Sequence, residues 1–256
     1  MKTIRFLSIL LCLATLFTAC KKDKHSSRKT YLTAHRHGAG QIEYTYDNNG
    51  RLIGETTKNA RGETDVHLTY REFNADGMPG RIDYSFPANP LHKPYLLIEY
   101  DGSDRPVKVI NHATDGTSGP YDTYTYLTGR IEYRTFNAGG AQQRYSIYTL
   151  DNAGNVSTLD IFNAGNVSTW RINYTGYDNK KAPLHPYKYL AIVLSETPNF
   201  FSANNYTRYE TYNYSVLDAR YSCTYTYNQQ NYSTGRVTTD QISNVSSEDF
   251  YEYVER

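Results

Sequence analysis

From residue 40 onward the chain is written in short alternating runs separated by turn residues. Ile42, Tyr44 and Tyr46 fall on one side of an extended segment, with Glu43, Thr45 and Asp47 on the other. Ile131 and Tyr133 oppose Glu132 and Arg134 in the same way, and Ile147 sits between Ser146 and Tyr148. A period of two predicts strands, because successive side chains of an extended chain point to opposite faces. The runs are punctuated by Asp47-Asn48-Asn49-Gly50, Arg61-Gly62, Asn74-Ala75-Asp76-Gly77, Asp101-Gly102-Ser103-Asp104, Asp115-Gly116, Thr128-Gly129, Asn137-Ala138-Gly139-Gly140 and Asn152-Ala153-Gly154-Asn155. Asn, Asp and Gly tolerate the positive φ of tight hairpin turns. Gly50, Gly77, Gly102, Gly129 and Gly154 lie 27, 25, 27 and 25 residues apart, one hairpin per step. The segment Asn-Ala-Gly-Asn-Val-Ser-Thr occurs at 152–158 and again at 163–169, a local duplication. The predicted fold is all-β: an antiparallel meander of repeated hairpins forming a curled sheet, one repetitive domain over residues 31–256.

Residues 182–205 break the rhythm. Pro183, Pro186 and Pro198 flank an apolar run from Leu190 to Leu194, with Phe200 and Phe201 beyond. This predicts a crossover with a short helix near 184–196 that plugs one end or face of the sheet. A partner-binding loop is the alternative. Strands resume at 206–214, 221–227 and 236–242.

The hairpin units resemble YD repeats, the tyrosine-aspartate hairpins of Rhs-type proteins. Tyr44-Thr45-Tyr46-Asp47-Asn48-Asn49-Gly50-Arg51-Leu52 carries the resemblance best, and Tyr148-Thr149-Leu150-Asp151-Asn152-Ala153-Gly154-Asn155-Val156 next. Other units lack the Asp. The stretch from Tyr174 to Pro183, with Asn204-Asn205, is similar to a family of uncharacterised bacterial lipoproteins with Tyr-rich repeats. That resemblance implies a fold and an envelope location, and brings no catalytic residues.

The first 19 residues are of another kind. Lys2 and Arg5 precede an apolar run from Phe6 to Phe17 that only Ser8 and Thr15 interrupt. The run is about a dozen residues long, too short for the roughly 20 of a spanning helix, and reads as a signal-peptide core. Phe17-Thr18-Ala19-Cys20 resembles the lipobox of bacterial lipoproteins, which implies cleavage before Cys20 and lipid on its thiol. Residues 20–30 then form a charged, lipidated tether without apolar periodicity, expected to be flexible. Its lysines resemble, imperfectly, the surface-export signals of some Gram-negative lipoproteins. The expected location is the cell envelope, anchored by lipid to a membrane, most simply the outer one.

Composition adds three bounds. Without Lys2 and Arg5 the mature chain carries 25 basic against 26 acidic side chains, so nothing in its charge supports nucleic-acid binding. Of three cysteines, Cys12 leaves with the signal and Cys20 takes lipid. Only Cys223 remains, so no disulfide forms within the mature chain and the core alone must hold the fold. Tyrosine accounts for 27 of 256 residues, beside 9 Phe and 1 Trp. A tyrosine ring covers a sheet while its hydroxyl reaches a polar partner, and the same ring would stack on a sugar.

The search for reaction chemistry returns little. No nucleophile elbow, phosphate loop, zinc-protease helix or paired-cysteine site is written in the chain, and no cofactor is implied. His35 and His37 share one face of a strand and, with a carboxylate, would suit a metal; two histidines alone are weak, and no metal site is assigned. Asp101 and Asp104 lack the ligand spacing of a calcium loop and read as a hairpin turn. Cys223 has no histidine nearby in sequence and reads as a small strand residue. The expected function is a non-enzymatic interaction or structural module at the membrane, its partner an envelope protein. The alternative is glycan binding through Trp170 and Tyr174.

Overall fold

The computed structural model describes residues 29–183, 187–194 and 202–256. The expected signal peptide, Cys20 and the tether through residue 28 lie outside the described residues, as do parts of the crossover. The strands are β1 Thr30–His37, β2 Gly40–Tyr46, β3 Leu52–Lys58, β4 Thr64–Phe73, β5 Pro79–Ser85, β6 Tyr95–Tyr100, β7 Pro106–His112 and β8 Ser118–Leu127. They continue as β9 Arg130–Phe136, β10 Gln142–Leu150, β11 Val156–Asn163, β12 Ser168–Lys181, β13 Asn204–Asn213, β14 Val216–Tyr227, β15 Ser233–Asp240 and β16 Ser246–Glu255. A helix, α1, covers Lys188–Leu194 between β12 and β13. Each strand pairs with the next and β16 returns to β1, so the sheet closes into a barrel of 16 strands. The all-β meander is as expected, and the curl goes further than expected, closing the sheet on itself. Closure removes the two unpaired edges that an open sheet would expose, and it joins the first strand to the last, which no local pattern encodes.

Contacts divide the chain into Leu32–Val254, which carries the barrel wall, and a small terminal unit whose described residues are 29–31 and 255–256. In the small unit Lys29 and Arg256 exchange two backbone hydrogen bonds of 3.0 and 3.1 Å. Strand β1 already takes in Thr30, the last residue of the expected tether.

The turns explain the spacing seen in the sequence. At Asp47 the side-chain Oδ1 accepts from the backbone N–H of Asn49 and of Arg51, both at 2.9 Å, while Gly50 N–H donates to the Asp47 carbonyl at 3.0 Å. Asn59, Asn74, Asp101, Asp151, Asn163 and Asn228 repeat the arrangement. The fourth residue of such a turn is left-handed, as at Gly50 (φ 76°) and Gly154 (φ 83°), or is Asp104, Asn166 or Asn231, the residues that accept this conformation at least cost. A methyl group at Gly154 would meet nothing within 4 Å, so backbone strain alone sets the effect there. Gly154→Ala is expected to lower stability by about 1 kcal/mol and Gly154→Asn by less than half of that, read from urea midpoints.

Tyrosine has a second structural use. Tyr46 Oη donates to the Leu32 carbonyl, Tyr100 to Pro79, Tyr225 to Tyr206 and Tyr253 to Ser233, each at 2.8 Å. In each case a tyrosine from one strand caps a carbonyl of the strand before it. The rings bury apolar area and the hydroxyl satisfies a backbone acceptor, the combination that Phe cannot supply.

Helix α1 sits at the barrel end that carries the turns after β2, β6, β8 and β10. Leu190, Ala191 and Ile192 are buried. Tyr187, just before the helix, donates to the Gly50 carbonyl at 3.2 Å, and Tyr189 meets Tyr126 edge-on at 5.9 Å. The apolar run 190–194 therefore plugs one end of the barrel, within the span expected for it.

Candidate functional site

The chemistry-bearing side chains gather on the inner face at the seam where β15, β16 and β1 meet. Asp249, on β16, is 1% exposed. Its Oδ2 accepts from Arg236 Nε at 2.8 Å and lies 2.6 Å from Arg236 Nη2. Its Oδ1 accepts from His35 Nε2 at 3.0 Å and from His37 Nδ1 at 2.8 Å. Burial alone would raise this carboxyl, but His35, Arg236 and His37 together hold it well below the usual carboxylate range. An ionised carboxylate only accepts, so His35 carries a proton on Nε2 and His37 on Nδ1. Arg236 Nη1 donates to Tyr206 Oη at 2.9 Å, and the His35 ring stacks on Tyr251 at 4.9 Å.

The pairing of His35 and His37 with a carboxylate, a possibility the sequence raises, is thus present, but its other carboxylate oxygen is held by an arginine. Among the described residues no group of three or more His, Cys, Asp or Glu side chains is placed to hold a metal ion. Held so low, the Asp249 carboxylate is itself a weak base near neutrality. What the geometry does is join the barrel. One carboxylate ties β15 to β1 across β16, where Thr33 Oγ1 also donates to the Glu252 carbonyl at 3.1 Å. Asp249 and Arg236 carry no sequence signal for this role; it depends on register between strands far apart in the chain.

Further round the wall, Glu55 is another carboxyl turned to the interior. It sits beside Tyr44 and Tyr84 and accepts a hydrogen bond from Tyr70 Oη. Burial pushes its carboxyl up to about 7, and the Tyr70 hydrogen bond pulls only partly against that. Cys223 is buried, with its sulfur 3.5 Å from Thr238 Oγ1, and burial pushes the thiol up. It is no ready nucleophile. Asp101 closes its hairpin through Ser103, Arg105 and a 2.6 Å bridge to Arg105 Nη2.

The two residues expected to bind a ligand sit apart in character. Tyr174 is 8% exposed and packs against Tyr206 and Tyr209, with ring centroids at 5.0 and 5.8 Å. Trp170 is half-buried near the start of β12, opposite Ile161 and Asn213.

Outward positions of the same strands are charged. Asp83 lies between Arg71 and Arg81, both at 2.6 Å, and Glu132 between Arg130 at 2.6 Å and Arg134 at 3.0 Å. Arg171 meets Asp160 at 2.5 Å and Arg220 meets Glu210 at 2.7 Å. Their strand neighbours Tyr70, Ile82, Ile131, Tyr133 and Leu159 are buried, so the alternation separates a tyrosine-rich inside from a salt-bridged outside. Among the described residues no helix is long and apolar enough to cross a membrane.

Among solved structures the chain is similar to a porin-like protein from Bacteroides vulgatus, with a TM-score of 0.58 and 11% identity over 88% of this chain and 99% of that one. It also matches a porin-like protein from Bacteroides uniformis, with a TM-score of 0.41 and 12% identity over 86% and 96% of the two chains. The first likeness shows a shared barrel fold. No protein-family model matches the chain, and no curated protein sequence matches it significantly, so the resemblance of the hairpins to YD repeats stands on their sequence alone.

Proposed function

We propose that this chain is a cell-envelope lipoprotein, held by lipid on Cys20, whose barrel stands in water beside the bilayer as a non-enzymatic interaction or structural module. The observation that carries this reading is the charged outer wall. A barrel that spans a membrane shows lipid an apolar band about 25 Å tall, and each Arg or Lys facing the bilayer midplane costs about 2–4 kcal/mol. Here Asp83 and Glu132, each flanked by two arginines, stand on the outward face of β5 and β9. The anchor is supplied instead by the lipobox-like Phe17-Thr18-Ala19-Cys20. The Asp249 cluster ties three strands of the wall together, which supports a structural role for it.

Cells expressing the wild type and Cys20→Ala, fed labelled palmitate, test this. The wild type is expected to take up label and stay with membranes through an alkaline wash. Cys20→Ala is expected to take up none and to be released by the wash. A Cys20→Ala chain that has lost its first 19 residues, as its mass shows, and still resists the wash would mean that the barrel itself spans, and the proposal would be wrong.

A further inference from the structure

The large apolar side chains left exposed on the barrel are not spread evenly. Ten are exposed among the described residues. Seven of them lie in or beside turns at the end opposite helix α1: Leu91, Val167, Tyr214, Val216, Leu217, Ile242 and Val245. Leu127 is at the plugged end, and Val237 and Phe250 are on the wall. Six of the seven belong to three neighbouring turns, β11–β12, β13–β14 and β15–β16, which touch: Tyr214 N–H donates to the Thr169 carbonyl at 3.2 Å and Gln241 N–H to the Arg220 carbonyl at 2.8 Å.

Two further observations say what this rim meets. The tips 163–167, 214–217 and 241–245 contain no charged residue. The nearest acids are Asp218 and Asp240, the latter turned inward to cap its own turn through Ile242 N–H and Ser243 Oγ, while the other turns at this end carry Arg61, Glu63, Lys93 and Asp115. The three neighbouring tips are therefore an uncharged apolar patch within that end of the barrel. Tyr214 also occupies a position that its side chain disfavours. It forms a two-residue turn with Ser215, with φ of 44° and 69°, where Asn-Gly is the usual solution. A bulky residue at positive φ is rare. This one holds its ring outward at 63% exposure, so the backbone strain gains no packing within the barrel. Aliphatic tips with a tyrosine among them, on projecting turns rather than in a groove, match a surface that yields to shape: the headgroup and acyl boundary of a bilayer, where tyrosine is favoured.

We infer that this rim is a membrane-contact surface, formed by Val167, Tyr214, Val216, Ile242 and Val245, that dips shallowly into a lipid bilayer. The inference rests on the reading that the barrel stands beside the membrane, and it gives that barrel a second attachment independent of the lipid on Cys20. Because the tips are uncharged, binding follows apolar burial and is insensitive to the charge of the lipid and to salt.

The test is flotation of the mature chain carrying Cys20→Ser, which cannot be lipidated, with vesicles of phosphatidylcholine alone or mixed with phosphatidylglycerol. The chain is expected to float with both, equally at low and high salt. Combining Tyr214→Ser, Val216→Ser, Ile242→Ser and Val245→Ser is expected to lower partitioning at least tenfold. The wall substitution Val237→Ser is expected to change it less than twofold. All five positions are exposed, and an unchanged near-ultraviolet circular dichroism spectrum verifies the fold. No flotation, or flotation that survives the four rim substitutions, overturns the inference. So does a self-associated species, seen in sedimentation, that does not float and that the rim substitutions dissociate; the rim would then be a contact between copies. None of these results bears on palmitate labelling, so failure here is separable from failure of the lipoprotein reading.

Discussion

Asp249→Ala is expected to cost about 3–5 kcal/mol of stability, because it leaves the Arg236 guanidinium buried without its counter-charge. For a domain of this size that is a fall in melting temperature of about 6–20 °C. The same substitution removes the acceptor shared by His35 and His37 and so loosens the joint between β1 and β16. The sign with pH follows from the depressed carboxyl. Asp249 contributes fully above the carboxylate range of the unfolded chain, and the contribution is lost as pH falls through its lower folded value. The wild type should therefore lose stability on acidification more steeply than Asp249→Ala. Replacing both charges with apolar residues, Arg236→Met with Asp249→Leu, should recover much of the loss, since no buried charge is then left alone. Thermal melts of the three proteins at neutral and acid pH decide it. An Asp249→Ala protein within about 1 kcal/mol of the wild type would show that the seam is held by backbone pairing and that the cluster is incidental.

The hairpins were legible because their cause is local. An Asp or Asn that bonds the backbone two and four residues on, with a left-handed Gly at the fourth position, is complete within five residues, and Asp47 to Arg51 displays all of it in order. The plug was legible for a similar reason, since an apolar run bounded by prolines in an otherwise period-two chain has few other uses. Closure and the seam cluster were not. Asp249 stands in Ser247-Glu248-Asp249-Phe250-Tyr251-Glu252, where it looks like one more exposed acid, and only the pairing of Gly235 with Phe250 and of Arg236 with Asp249 turns it inward. The inner face of a barrel differs from the core of a sandwich in this respect. Its residues need not be apolar, because neighbours on the same concave wall can satisfy them, so hydrophobicity does not announce which charged residue lies inside. His35 shows the limit of reading one strand: its face was predictable, but the carboxylate it meets is 214 residues away.

Glu55 is the opposite case to Asp249, a carboxyl that the fold prefers neutral. Tyr44 lies opposite it on β2 and Leu68 on β4, with Tyr70 and Tyr84 nearby, and no cation is bonded to it among its described contacts. With burial holding its carboxyl up at about 7 against the ordinary value of 4.5, the sign of its effect is reversed. Below about pH 4.5 it is protonated both folded and unfolded, and adds no pH-dependent cost. Between there and about 7 the unfolded chain releases the proton while the folded barrel keeps it, so stability falls as pH rises. Above about 7 the cost is constant, at about 3 kcal/mol from the size of the shift. Glu55→Gln keeps the shape, and its side-chain carbonyl still accepts from Tyr70, but it cannot ionise. It is expected to leave stability nearly unchanged at pH 4 and to raise it by about 3 kcal/mol at pH 8, with the difference developing between those limits. Urea unfolding of both proteins across that range is the measurement. An equal gain at both ends would mean that glutamine simply packs better, and no gain at pH 8 would mean that water reaches Glu55 inside the barrel and carries its charge.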